Sequence, residues 1–539
     1  MRWAFLAKKQ SFGNLLLFIA QCLFAITFCM LTVQITFATG RLSSSIVNGV
    51  PAIRFIEVAS VVGLILILAI FSIKFTRIKM EHFYVYDRSW HRALWGVWLI
   101  LQYLYVWGTY SELGSDAWII HSVDYLLLQG YVDATGLYYF AQFTNNINLG
   151  FFSYLIQKAI PMESKADMWF LMAIIAALFA DAAIYWTLKL ITKLYGKRYY
   201  TIAFLICVIL IGLSEEATIL YSDIISLWTI PFAAYHIVLH SSAKNDGKKI
   251  WMRCILAGFG IGFGGAFKPQ VFILLIAGCI VVALQAITCK VTWHQIVGAF
   301  FCLSTCLVIY VALSSISKIW YFQYIPDEYK EAPQTYIDEN TYPMLHWMNM
   351  GLNSTSDGDW NLSDCQFTES FSGKENKNRQ LKASIRERLK NFGLIGYLKF
   401  VYRKVVLALQ NGSFSHGAVW KGTCLNTNPV AIKIQHYFVS TYDEWRYVIA
   451  VVVQEVYLLC LWSAVWNVLR NLLKIRKKST QSIIQITQMT LLGDIMFLAL
   501  FERNVRYFYS VIPLLILLAI AGLHAFIGLC ENEEGENNL

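Results

Sequence analysis

Long apolar runs separated by short clusters of lysine and arginine recur from one end of the chain to the other, and they leave it few folds to adopt. About 20 apolar residues are enough to cross a bilayer as a helix. Inside hydrocarbon the backbone must satisfy its own hydrogen bonds, which a helix does. Candidate spans fall at 13–36, 57–76, 93–110, 168–190, 200–213, 224–240, 251–266, 271–288, 296–314, 446–468, 484–501 and 508–527, about twelve in all. The runs at 200–213 and 251–266 are short and extend into their flanks. Of the 539 residues, 57% are hydrophobic and 14% are charged, against about 25% charged in soluble domains. The expected fold is an all-α polytopic membrane protein. Lys8 and Lys9 precede the first run and no clean small-residue cleavage site follows it, so that run is read as a retained anchor.

The net charge is +10, which in a soluble chain would point to nucleic acid. Here the basic residues sit between the apolar runs, as the positive-inside rule places them, and no nucleic-acid partner is expected. Lys8/Lys9, Lys74–Arg92, Lys189–Arg198, Lys244–Arg253, Lys290 and Arg470–Lys478 all fall on one side of a twelve-span chain. That side is the cytoplasm of a cell membrane, and it holds both termini. The chain then divides into N-terminal spans (1–110), a first external loop with interfacial helices (111–167), a central bundle (168–314), a long external segment (315–445), and C-terminal spans with a short acidic tail (446–539). Twelve cysteines are scattered, mostly within apolar runs, where Cys acts as a small hydrophobe. Cys365 and Cys424 lie in the long external segment and could pair, but spacing alone does not establish a disulfide.

The stretch Ser115–Gly150 is too polar to span and carries Asp116, His121, Asp124 and Asp133 among aromatics and asparagines. Acids just past a span serve function in many membrane proteins; the plainer reading is a solvated loop. Asp116 and Asp223, from distant parts of the chain, fall on one face, which suggests an assembled site with a general base. Cations share that face: Lys268 after the glycine-rich GFGIGFGGAF, and Arg503 and Arg506 beside Glu502 in ERNVRYFYS. Those arginines either snorkel to the interface or grip a phosphate through their planar forks of donors. The segment 380–410 interleaves Arg386, Arg388, Lys390, Lys399, Arg403 and Lys404 with apolar residues, and fits either a helix on the outer leaflet or a solvated helical face. Segment 145–160 fits an interfacial helix. His346, within the Trp-, Asn- and Asp-rich stretch 343–364, suits either sugar binding or an ordinary structured loop.

Together these stretches resemble the GT-C class of polytopic glycosyltransferases, which use polyprenyl-phosphate sugars, in particular the Gram-positive bacterial type. Asp116, then LLLQG (126–130) and YYFAQFTNN (138–146), is similar to the first external loop of that class. LYSD (220–223), FKPQ (267–270), HWMNMGLN with Gly358 and Asp364, LQNGSFS, and ERNVRY follow in the family's order. FTNN lacks the usual proline, Asn411 stands where the pattern has Asp, and Asn504 where it has a small residue. The resemblance implies an inverting sugar transfer on the outer face, from a polyprenyl-phosphate-linked sugar to a glycan, lipid or protein acceptor outside the cytoplasm. Asp116 is then the base, with Asp223 orienting the acceptor or assisting a metal. Lys268, Arg503 and Arg506 bind the donor phosphate, and Tyr139, Asn145, Asn146, His346 and Glu502 line the substrate. Some members of the class use a divalent ion, magnesium or manganese, and others do not, so the resemblance leaves a divalent cation open. The alternative is a transporter or flippase of lipid-linked glycans, which needs polar or broken spans near the midplane; the spans read as mostly uniformly apolar, Asp181 being the main exception. A non-catalytic scaffold is a third reading.

Overall fold

The computed structural model describes residues 2–38, 88–241, 247–287, 293–414, 421–439, 446–473 and 481–536. Apolar runs with no water to bind their amides become helices. The first is α1 (Arg2–Ala38), followed by α2 (Arg88–Thr109), α3 (Ser115–Leu128), α4 (Ala134–Gln142) and α5 (Ile147–Ala159). Then come α6 (Lys165–Tyr195), α7 (Tyr200–Cys207), α8 (Ser222–Leu227) and α9 (Thr229–Ser241). The central helices α10 (Gly247–Phe267), α11 (Phe272–Ile287) and α12 (Trp293–Phe322) lead into the shorter α13 (Pro333–Asn340), α14 (Met344–Gly351) and α15 (Leu362–Glu369). A long α16 (Lys374–Leu409), α17 (Pro429–Phe438), α18 (Arg446–Leu473), α19 (Gln481–Leu500) and α20 (Ile512–Glu536) complete the chain.

Eight described segments are long and apolar enough to cross a membrane: 18–36, 165–195, 222–240, 269–287, 293–322, 452–470, 482–500 and 505–527. The run at 251–267 is apolar but shorter. Expected span 93–110 forms the helix α2 without meeting the same test, and 200–213 is interrupted where α7 gives way to a π turn, Val208–Gly212. The expected span 57–76 lies outside the described residues. The span ending expected at 314 runs on to Phe322 as α12. Most of the described part of segment 315–445 is helical, but the fold is not purely α: β1 (Ser111–Leu113) pairs antiparallel with β2 (Lys421–Cys424). This zips the start of segment 111–167 to the later part of segment 315–445.

Local signals explain the breaks. Ser164 and Asp167 form a reciprocal cap, each side chain accepting the other's backbone N–H, which starts α6 at Lys165. Asp181, the charge inside that span, accepts from Trp98 Nε1 at 2.8 Å and Gln102 Nε2 at 3.0 Å. It therefore ties α2 to α6. α20 stands at the centre, with Ile512 and Leu514–Leu518 fully enclosed, whereas α12 faces outward along most of its length. Helices α10 and α12 approach closely because Gly258 and Gly262 lie against the backbone of Cys302 and Cys306. Cys365 and Cys424 are both free thiols, so the pairing is not made.

The spans hold more polar residues than their composition suggests. On α19, Gln485, Thr487, Gln488, Thr490 and Asp494 are all buried, and α18 buries Gln454 and Glu455. This corrects the reading that Asp181 is the main exception: single polar side chains in an apolar run barely alter its average, yet here they share one helix.

Candidate functional site

The acids sit where helix electrostatics favours them. Asp116 occupies the first turn of α3 and Asp223 the first turn of α8, each beside the exposed N–H groups of a helix start. Lys268 follows the C-terminus of α10, where a cation is favoured. Helix ends alone would account for each of these residues singly. They do not account for the way the ends meet.

Tyr221, two residues before Asp223, is the meeting point. Its hydroxyl donates to Asp116 Oδ2 at 3.1 Å, Asn146 Nδ2 reaches the same hydroxyl at 3.3 Å, and the Arg506 guanidinium lies 4.7 Å from the ring centre. Asn146 also donates to the Tyr139 hydroxyl at 2.6 Å, and Asn145 donates to Asn146 Oδ1 at 3.1 Å. Asp223 is fully buried; Lys268 Nζ bonds its Oδ1, and Arg506 Nε stands 3.8 Å from Oδ2. The Lys268 ammonium also lies 4.2 Å from the centre of the Tyr507 ring, whose hydroxyl donates to Glu502 at 3.3 Å. The structure thus gathers Asp116, Tyr139, Asn145, Asn146, Asp223, Lys268, Glu502 and Arg506 from α3, α4, α8 and the turns before α5, α11 and α20. Asp223, Lys268 and Arg506 are buried, while Asp116 is only half-buried.

Burial leaves its mark on the neighbouring acids. Glu216 is held up at about 8 by burial and by the nearby Asp223 charge. Glu502 is held at about 7 by burial, with Arg506 pulling the other way. Near neutral pH, then, a large share of each carries a proton, and the two cations are not smothered by four full negative charges.

Two expected members are not in this cluster. Arg503 pairs with Asp359 at 2.5 Å, and its backbone N–H donates to the Gly358 carbonyl at 2.6 Å. Helical spacing would have put it beside Arg506, but Asn504 is extended and the 3-10 turn begins only at Val505, so the two side chains diverge. His346 is fully buried, stacked on Tyr342 at 4.3 Å, with Nδ1 2.7 Å from Thr368 Oγ1. Burial pushes it down to about 4. Its contacts are those of a residue packed between α14 and α15.

Sequence reasoning places Glu215 and Glu216 beside Asp223 but passes over Tyr221, Tyr507 and Asp494. Gln270 donates to Asp494 Oδ1 at 3.2 Å just behind Lys268, so polar contacts continue from the site into the spans. Among the described residues, no three His, Cys, Asp or Glu side chains gather as metal ligands. The donor set at Asp223 does not fit a divalent cation: an ammonium holds one carboxylate oxygen and a guanidinium faces the other.

The chain belongs to a family described as conserved hypothetical integral membrane proteins, whose model matches residues 9–525. It is accordingly an integral membrane protein, and the bilayer is its solvent. No curated protein and no solved structure matches it.

Proposed function

We propose that this integral membrane protein is a glycosyltransferase of the GT-C type, moving a sugar from a polyprenyl-phosphate donor to an acceptor hydroxyl on the site's side of the membrane. The observation that carries the reading is the cluster at Tyr221. A half-buried carboxylate, Asp116, and two buried cations, Lys268 and Arg506, are brought from three separate parts of the chain to one aromatic ring or its neighbours.

The chemistry needs these groups at these places. The acceptor oxygen bonds to the anomeric carbon from the face opposite the phosphate, and its proton passes to an Asp116 oxygen. The bond from the anomeric carbon to the phosphate oxygen breaks, and its electron pair stays with the phosphate. Configuration inverts. A phosphate is already a good leaving group, so the protein need not protonate it as a glycosidase does. What it needs is positive charge where the phosphate oxygens gain negative charge, the role of Lys268 and Arg506. Asp223 is a positioning residue in this scheme. It keeps two buried cations neutralised and in place until a phosphate shares them, since an uncompensated buried charge is costly. Tyr221 holds Asp116 in register, and Asn146 holds Tyr221.

The buried polar face of α19 and the π turn after α7 give the transport reading a specific basis as well. The two readings part on covalent chemistry. Mass spectrometry of surface glycans from cells with and without the protein is the direct test. A transferase predicts loss of one sugar residue from an otherwise intact glycan, with the unglycosylated acceptor accumulating. Loss of a whole glycan, with its lipid-linked precursor building up inside, would replace the transferase with a flippase.

A further inference from the structure

Helix α16 is interrupted by one residue. Gly393 has φ 58° and ψ 176°, a left-handed conformation that suits glycine, and a Cβ there would meet nothing within 4 Å. The helix therefore bends between 374–392 and 394–409, and the bend projects into open space. Immediately after it, Leu394, Ile395 and Leu398 are 76%, 70% and 58% exposed, and Tyr402 extends the same apolar surface. Residues 394, 395, 398 and 402 share one face of the second half at helical spacing. Lys399 lies beside that surface and Arg386 and Lys390 precede the bend in the chain, and all three are exposed.

The other end of α16 is fixed to the spans. Lys404 Nζ donates to the Ala499 carbonyl at 3.2 Å, at the end of span 482–500. The Tyr457 hydroxyl, within span 452–470, donates to the Leu409 carbonyl at 2.9 Å. From Lys404 back to Ile395 is nine residues, about 14 Å along a helix. The apolar tip is thus tethered close to the surface of the bilayer that the chain crosses. A three-residue apolar face with flanking cations, held beside a membrane, has the make-up of an interfacial helix attracted to anionic headgroups.

We propose that α16 docks onto the bilayer leaflet on the site's side around its bend, with Leu394, Ile395 and Leu398 of the second half among the acyl chains and Lys399, with Arg386 and Lys390 from just before the bend, on anionic phospholipid headgroups. This docking does not depend on the transfer reaction. It has a consequence for the site nonetheless, because α16 also grips the segment that packs on the Glu502 turn: Arg388 pairs with Asp364 at 2.5 Å and Lys404 donates to the Gly351 carbonyl at 2.7 Å.

The test uses the full chain in nanodiscs of phosphatidylcholine containing one part in about three of phosphatidylglycerol, a composition that gives the leaflet a negative potential. Ile395 is replaced by p-benzoylphenylalanine, the sample is irradiated, and the intact protein is weighed. The expected result is an adduct of one phospholipid, with phosphatidylglycerol several-fold over-represented relative to its share. The same probe at Lys374, the far end of α16, should give little. Reversing the flanking charges (Lys390→Glu with Lys399→Glu) should abolish the phosphatidylglycerol preference and keep the lipid adduct. No lipid adduct at 395, an equal yield at 374, or a mass of two cross-linked protein chains would overturn the proposal. A preference for phosphatidylglycerol that survives the double reversal would overturn the headgroup assignment. The readout is a lipid mass, so it stands whether or not the protein transfers sugar; an Asp116→Asn chain should give the same adduct.

Discussion

Asp223, Lys268 and Arg506 are all buried: Asp223 is tolerated there because both cations face it, and each cation because it faces Asp223. Arg506 also stacks on Tyr221, which a lysine cannot do with a planar group. Arg506→Ala should therefore weaken donor use: a charged hydrogen bond to phosphate is worth about 1.5–3 kcal/mol, or roughly 10- to 150-fold in the half-saturating donor concentration. Titrating lipid-linked sugar against initial rate checks this, and an unchanged half-saturation would remove Arg506 from the phosphate site. Glu216 makes a separate prediction. Its carboxyl is held at about 8 in the folded protein by burial, while a glutamate in the unfolded chain titrates near ~4.3. Between those values the folded state binds more protons than the unfolded one, so stability falls as pH rises. Melting of the purified protein should drop from pH 5 to 8, and Glu216→Gln should flatten that slope; a slope unchanged in the variant would contradict the burial argument. Asp116, Asp223, Lys268 and Arg506 are legible in the sequence because charges at the ends of apolar runs are scarce. Asp494 is not, because one acid inside a long apolar run hardly changes its average. Arg503 and His346 fall outside the cluster for a different reason: the sequence shows spacing and residue type, but the direction of a side chain waits on the backbone around Asn504 and the packing of Tyr342.

At the scale of elements, the glycines of α10 set how closely it packs on α12. A Cβ at Gly262 would sit 2.5 Å from the Cys306 carbonyl oxygen, and one at Gly258 2.3 Å from that of Cys302. Neither contact can be relieved by turning a flexible side chain, since the obstacle is backbone. Gly262→Val should push α10 from α12 and cost about 1–3 kcal/mol or more, as overpacking does. The readout is the melting temperature in a fixed detergent, and a variant as stable as the parent would show that the two helices are not held this closely. Lys268 follows directly from α10, so the same variant should displace it. The strand pair β1–β2 was not legible. Segments of three and four residues carry no usable alternation, and their pairing joins Ser111 to Cys424 across most of the chain. The interrupted region 200–213 reads as one short span in sequence, but the backbone changes from α to π at Val208.

For the whole molecule, apolar run length and charge placement specify a helical membrane protein, and eight described segments meet the requirements of a span. The finer expectation of about twelve spans rests partly on 57–76, outside the described residues, and on α2 and α7, whose lengths and flanks make them ambiguous from hydropathy alone. The site comes from the way helix ends converge, which no local pattern states: α3, α8, α10 and α20 each contribute at one end. Such convergence is what a membrane enzyme needs if a lipid-borne donor and a water-borne acceptor are to meet at the bilayer surface. The central claim is that Asp116 takes the proton from the attacking hydroxyl at that meeting point. The measurement that tests it most directly is sugar transfer in membranes supplied with polyprenyl-phosphate-linked sugar, comparing the parent protein with Asp116→Asn at matched expression. The account predicts normal donor binding and transfer reduced by about 10²–10⁴-fold; full transfer by the asparagine variant would contradict it.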